Sequence, residues 1–315
     1  MLLVLEMRNS VALLVADFLL RAGGTLSPLD LVRLSALMER SQGRREIMIA
    51  LIDGPVVLSH PDLAGATIRE IPGKLKGACT RGETMSCAHG TLVAGILCAR
   101  RDSMAPAICP GCTLMVRPIF AETDSGNGRM PNVTPEELAE AIVDTVDAGA
   151  HVINLSSAFT QPSPQAESKL EEALDYAASR GVIIVAAAGN QGTVGSSAIT
   201  RHRWVIPVTA CSYQRRPLSE SNLGSSIGRQ GLSAPGENIT SLGTNGKPQT
   251  FGGTSAAAPF VTGTIALLWS EFPEASAASV KFAITRCGRQ PRNTLVPAVL
   301  DATAAYQVMP TAHNR

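Results

Sequence analysis

The sequence predicts an α/β protein of three layers, a mostly parallel sheet with helices on both faces, and three observations lead there. A short continuous apolar run that ends in an acid, IMIALID at 47–53, is expected of a central strand buried on two sides, and AHVINLSS at 150–157 and GVIIVAAAGN at 181–190 read as further strands. Helical stretches separate these runs, the alternation that builds parallel sheets. Aromatic residues make up 4% of a chain that is 45% hydrophobic and rich in Ala, Gly and Val, which suits helices packed closely on a sheet.

At 315 residues the chain can bury a large core as one domain with appendages, and its formal net charge of +1 gives no support for nucleic-acid binding or electrostatic membrane attachment. We divide it into an N-terminal helical extension, 1–45, packed on a main domain, 46–290, and a C-terminal extension, 291–315. The opening stretch MLLVLEMRNSVALLVADFLLRAGG is apolar. Glu6, Arg8 and Asp17 interrupt it too often for a membrane span or a signal-peptide core, so an amphipathic helix ending at Gly23-Gly24 and a cytoplasmic location are expected. LSPLDLVRLSALMERSQG at 26–43 predicts a second helix, with Ser27 as N-cap and Pro28 at its first position. A removable pro-segment and an early start codon are the alternatives to a packed extension. No exposed linker precedes residue 46, which favours packing.

Asp53 closes the first strand run, at a carboxyl end, where open α/β sheets gather ligands and catalytic groups. The plain alternative is a turn aspartate before Gly54-Pro55. SCAHGTLVAGILCA at 86–99 puts His89 at a helix start facing small residues, where a lone histidine is usually structural. TPEELAEAIVDTVDAG at 134–149 predicts a helix with Thr134 as N-cap, Pro135 at N1 and Glu137 completing a capping box, and 166–180 predicts another that stops at Gly181. Asn190 ends the run at 181–190, where a turn role before Gly192 competes with a functional one.

FGGTSAAAPF at 251–260 opens the long apolar helix VTGTIALLWSEF and sets Ser255 at a loop-to-helix junction, with Pro259 expected in the first turn. The first N–H groups of such a helix lack intrahelical partners and face its positive dipole end, so a negative oxygen near Ser255 is stabilised. Simple capping by Thr254 or Ser255 is the competing reading. From Arg286 onward the chain is rich in Pro and polar residues, with a short helix near Leu300 and mobile last residues expected.

Seven cysteines, at 79, 87, 98, 109, 112, 211 and 287, do not form a secreted disulfide framework. Cys79 with Cys87, and Cys109 with Cys112, stand close enough in sequence to close local loops under oxidising conditions. Cys98 and Cys211 read as small buried hydrophobes.

A serine hydroxyl is a weak nucleophile until a base takes its proton, and the base needs an acid to orient it; Asp53, His89 and Ser255 supply all three in chain order. That order, with IDGPV at 52–56, HGTLVAG at 89–95, INLSS at 153–157, VAAAGN at 185–190, LSAPGENI at 232–239 and GGTSAAAPFVTG at 252–263, resembles the subtilisin-like serine proteases over residues 47–285. IDGPVVLSHPDL at 52–63, and VRPIFAE at 116–122 with the helix that follows it, most resemble the proteases that mature cyanobactin-type ribosomal peptides.

The resemblance implies roles. Ser255 would attack the scissile carbonyl, His89 would take its proton, Asp53 would orient the imidazole, and Asn190 would donate to the oxyanion beside the Ser255 backbone N–H. The substrate would be an extended peptide paired with Asn154 to Ala158 and with a segment near Thr123 to Gly126. Ser156, Ser157 and Ala158 would wall one side of the first specificity pocket and Ala187, Ala188 and Gly189 the other, with Thr254 joining the contact set. Neither nucleic acid nor a membrane is an expected partner. No cofactor is expected, and no calcium either, since ARRDSMAPAICPGC at 99–112 lacks the insertion that carries calcium in many secreted relatives. One of Arg201, His202 and Arg203, sought at the pocket floor, is expected to favour an acidic or polar residue before the cut bond, unless all three are solvated loop charges. No insertion like that of the peptide-cyclising relatives lies between His89 and Val116, which favours hydrolysis over cyclisation, and both over a silent peptide-binding module.

Overall fold

The structure is a computed structural model that describes residues 27–123, 130–156, 164–286 and 294–313. In chain order its elements are α1 (Pro28–Leu31), α2 (Ser35–Arg40), β1 (Met48–Asp53), β2 (Thr67–Glu70), α3 (Met85–Cys98), β3 (Thr113–Pro118) and α4 (Pro135–Asp147). There follow β4 (Val152–Leu155), α5 (Pro164–Ser179), β5 (Ile183–Ala187), α6 (Ala198–Arg201), β6 (Val205–Cys211), α7 (Ser225–Gln230), β7 (Leu232–Pro235) and the hairpin β8 (Ile239–Leu242) with β9 (Pro248–Phe251). The chain closes with α8 (Thr254–Glu271), α9 (Ala277–Arg286), β10 (Ala298–Val299) and α10 (Ala302–His313).

Eight strands form one sheet in the order β10-β7-β6-β5-β4-β1-β3-β2, and every pair in it is parallel. The period-two geometry of a strand divides each apolar run between two layers. On β1, Ile49 and Leu51 join the cluster that contains α3 and α8, while Ala50 and Ile52 join the one beneath α4 and α5. β4 and β5 alternate in the same way. The next side chain, Asp53, therefore points to the α3 and α8 face. After β1 the chain moves to β2 and β3 on one side and then crosses to β4 on the other, so a topological switch point lies beside β1.

Most local signals act as the sequence predicts. Thr134 accepts from Glu137 N while Glu137 accepts from Thr134 N, a complete capping box with Pro135 behind it. Gly181, at φ 70°, follows α5 and allows the left-handed turn into β5.

The N-terminal segment differs. The single helix expected over 26–43 is two short helices parted at Arg33, which takes φ 55°. The break lets Leu31, Val32 and Leu34 all bury in the main cluster, so tertiary burial outweighs helical continuity. Arg101 secures this segment by donating to the carbonyls of Met38 and Ser41. The opening stretch 1–26 lies outside the described residues.

Pro259 is also misplaced by the sequence reading. It is the sixth residue of α8, inside the helix, and has no N–H to offer the Ser255 carbonyl one turn back. In the C-terminal segment Ala298 and Val299 pair with β7, and the helix expected near Leu300 is α10, which runs to His313 and packs on α9 and α2; the last two residues lie outside the described residues. Replacing Thr134 by Ala should remove the capping bond and lower stability by about 1 kcal/mol, read as a lower urea midpoint at unchanged slope.

Candidate active site

The strand end of β1 and the first two turns of α3 meet backbone against backbone. A Cβ on Gly54 would lie 2.0 Å from the Ser86 carbonyl oxygen, and one on Gly90 would lie 2.4 Å from both the Gly54 and the Pro55 oxygens. Only glycine at both positions permits this approach. His89, just before Gly90, is consequently carried onto Asp53. The helix begins at Met85, capped by Thr84, so His89 sits further into it than the sequence suggests.

Asp53 is 0% exposed. Its Oδ1 accepts from Gly54 N at 2.6 Å and from His89 Nδ1 at 2.7 Å. With the carboxylate ionised, Nδ1 carries the ring proton and Nε2 is left as the free nitrogen. Burial alone would lower the His89 pKa, but the charge and hydrogen bond of Asp53 outweigh it, and the net displacement is upward from 6.5. Phe251 meets the imidazole edge-on, with ring centroids 5.7 Å apart at 84°. Phe251 ends β9, four residues before Ser255, so one segment carries the alcohol and braces the ring.

Ser255 is the second residue of α8 and is 7% exposed. No hydrogen bond joins it to His89 among the described residues. The contact that would transfer a proton is thus unmade here, as is common before substrate arrives. α3 and α8 pack together on the same sheet face, bringing both residues to one end of the sheet.

Asn190 follows β5 and faces solvent. Its Oδ1 accepts from Thr254 N at 2.8 Å and Thr254 Oγ1 at 3.0 Å, and Thr254 Oγ1 in turn accepts from Gly189 N at 3.2 Å. With the oxygen held this way, Nδ2 is turned away from Thr254 and bonds no described group. Gly253, at φ 99°, makes room: a Cβ there would stand 2.9 Å from Asn190 Nδ2. Thr254 is 0% exposed, which removes its side chain from the pocket surface and gives it instead the task of orienting Asn190.

Of the expected pocket wall, Ala187, Ala188 and Gly189 are buried beside Asn190, and Ser156 continues from β4 half-buried. Ser157 and Ala158 lie outside the described residues, as do 124–129 of the second pairing segment. The expected basic pocket floor is absent. Arg201 bonds Glu167 and Glu171 of α5, His202 Nε2 bonds Asp175 at 3.1 Å, and all three residues precede β6, at the opposite end of the parallel strands from Asn190.

Sequence reasoning missed three supports. Asn222 accepts from Gln191 N, Thr193 N and Thr193 Oγ1 and donates to the Ala188 carbonyl, holding the loop that carries Asn190. Glu122 accepts from the backbone N–H groups of Thr80 and Arg81, tying the loop before α3 to the end of β3. Phe251 is the third. Asn222 and Glu122 sit in polar, turn-rich loops where spacing carries no signal, and Phe251 ends a four-residue strand too short to show a period.

A disulfide joins Cys79 to Cys87, while Cys109 and Cys112 are free thiols, buried like Cys98 and Cys211. Among the described residues, the one cluster of side chains spaced for a metal is Cys79, Cys87 and Glu122, and its two sulfurs are already bonded to each other. No helix of the described residues is long and apolar enough to cross a membrane.

Comparison with known proteins settles the family, since the model of the Subtilase family matches residues 44–296. The chain belongs to the subtilase family. The thermophilic serine proteinase of Bacillus sp. (strain AK1) is 32% identical over 71% of this chain and 52% of its own length, so the chain spans about half of that relative. Subtilisin amylosacchariticus from Bacillus subtilis subsp. amylosacchariticus is 28% identical over 86% of this chain and 68% of that protein. Among solved structures, a serine-to-alanine mutant of the protease domain of PatA is 30% identical at TM-score 0.76, covering 85% of this chain and 97% of that one. The prenylagaramide maturation protease PagA is 28% identical at TM-score 0.75, covering 88% and 98%. The PatG macrocyclase in complex with peptide, 22% identical at TM-score 0.73 over 88% and 95%, shares the fold.

The His89–Asp53 pair of this subtilase gives a pH prediction. The raised pKa means the pair contributes stability that is fully present below pH 6.5 and is lost as pH rises through the folded value. A histidine NMR titration should place the His89 midpoint above 6.5. In Asp53→Asn, where burial acts alone, it should fall below 6.5.

Proposed function

We propose that this chain is a serine endopeptidase that cuts an extended peptide through an acyl-enzyme, and that its substrate is a ribosomally made precursor peptide. The observation that carries the chemistry is the 2.7 Å bond between buried Asp53 and His89, at the same sheet end as an amide donor and a helix-start serine. In this reading His89 Nε2 takes the Ser255 proton as Oγ attacks the scissile carbonyl, and Asp53 holds the ring in that tautomer and stabilises its charged form. Asn190 Nδ2 and the Ser255 backbone N–H receive the oxyanion, and His89 returns the proton to the leaving amine. Water then repeats the sequence and releases the acid. Half-buried Ser156, just past the carboxyl end of β4, and small residues at Ala187, Ala188 and Gly189 support an extended substrate with an undemanding side chain before the cut bond.

The likeness to PatA and PagA, both described as maturation proteases, supports a precursor peptide over bulk protein. Cyclisation by acyl transfer is the second reading. The connection from α3 to β3, fully described, holds no added helix to shield an acyl-enzyme from water, which favours hydrolysis.

A fluorophosphonate probe should label the protein once, and Ser255→Ala should abolish the label; a silent binding module would show none in either. Asn190→Ala should lower kcat by roughly 10²–10³ with little change in KM. Peptide products should carry one added water each, and a mass lacking it would identify the cyclase. The rate should fall on acidification through a midpoint above 6.5, where His89 becomes protonated and loses its capacity as base.

A further inference from the structure

The middle of β4 holds a residue that the proposed chemistry does not use. Val152, Ile153 and Leu155 are fully buried and apolar, and Asn154 among them is equally buried. Its neighbours across the sheet, Leu51 and Val185, belong to the cluster under α8, so the amide lies on that face. A polar group there weakens the fold unless it is hydrogen-bonded, and a side chain of similar volume without polar atoms would pack as well.

Both bonds of the amide lead to the site. Thr262 Oγ1, in α8, donates to Asn154 Oδ1 at 2.8 Å, and Asn154 Nδ2 donates to Ser156 Oγ at 3.0 Å. Thr262 lies two turns after Ser255 on the same side of the helix. Ser156 leaves the carboxyl end of β4 on the same face as Asn154, at the position expected to pair with substrate. Neither partner needs the amide for its own satisfaction. Thr262 Oγ1 also reaches the Ala258 carbonyl at 3.2 Å, and Ser156 is half-buried, with access to water. What the amide adds is a fixed span from the serine helix to the substrate strand.

We infer that Asn154 is a positioning residue for substrate binding, acting through Ser156. It holds the pairing edge at a set distance from α8, so that a peptide bound to the strand presents its carbonyl at the height of Ser255. It touches no substrate itself. The inference rests on the protease reading above and assigns the register device of that site.

The test compares Asn154→Leu, Thr262→Val and Thr262→Ser on a tetrapeptide p-nitroanilide, which pairs with the strand, and on p-nitrophenyl acetate, which does not. For Asn154→Leu and Thr262→Val the peptide kcat/KM should fall about three- to tenfold more than that of the ester, the size of one neutral hydrogen bond, with the loss in KM. Thr262→Ser should keep wild-type values. In a Ser156→Ala background Asn154→Leu should add no further loss. Equal losses on both substrates, additive losses with Ser156→Ala, or a lower melting temperature at unchanged peptide KM would overturn the inference. If Asn154→Leu does not fold, the two Thr262 variants decide it. Calorimetric Kd values for the tetrapeptide in a Ser255→Ala background separate this inference from the protease reading. Weaker binding with Thr262→Val supports it even where wild-type protein hydrolyses neither substrate, an outcome that removes the protease reading alone.

Discussion

The site depends on one close approach, the end of β1 against the first two turns of α3. Gly54 and Gly90 allow the two backbones to touch, and a side chain at either position would meet a carbonyl oxygen nearer than any real contact permits. Asp53 and His89 flank that contact, so their bond length follows from backbone packing rather than from two side chains searching for each other. Burial of Asp53 then makes the bond necessary. A carboxylate withdrawn from water needs its donors, and Gly54 N and His89 Nδ1 supply them on one oxygen.

The serine half is assembled separately and later in the chain. Gly253 turns the chain into α8, Thr254 fixes the Asn190 oxygen, and Asn222 holds the loop behind it. The two halves meet because α3 and α8 cover the same face of the sheet. Strand alternation decides that face: once Ile49 and Leu51 bury toward α3 and α8, Asp53 must follow them, and Asn154 does the same on β4.

How far the sequence discloses this depends on the range of the interaction. Asp53 was legible only in company, since an apolar run ending in an acid before Gly54-Pro55 reads as well as a turn until His89 and Ser255 are set beside it; the α4 capping box was legible because its partners are three residues apart. The two-residue strand β10 was invisible, since two residues show no period. The break at Arg33 was hidden because the local pattern supports a helix and only packing against the body opposes it. Pro259 was misread for a related reason: the sequence marks a helix start but not its register, and the observed start at Thr254 moves the proline inside. Arg201 and His202 were drawn to the pocket by nearness in sequence to Asn190. The return of the chain to the amino end of β6 carries them to α5 carboxylates instead.

The distribution of made and unmade contacts follows a pattern. Bonds that orient groups are complete: Asp53 to His89, Thr254 to Asn190, and Asn154 to both Thr262 and Ser156. The one bond through which a proton would move, from Ser255 to His89, is open. Preorganised dipoles cost no rearrangement at the moment of reaction, whereas a hydroxyl already locked to the ring gains less when substrate excludes water. On the proposed assignment the protein therefore fixes in advance everything around the reacting atoms and leaves to the arriving peptide the small motion that joins alcohol and imidazole. This division fits a protease whose selectivity lies in how the peptide backbone is seated, because a peptide held in the wrong register would not close the last contact.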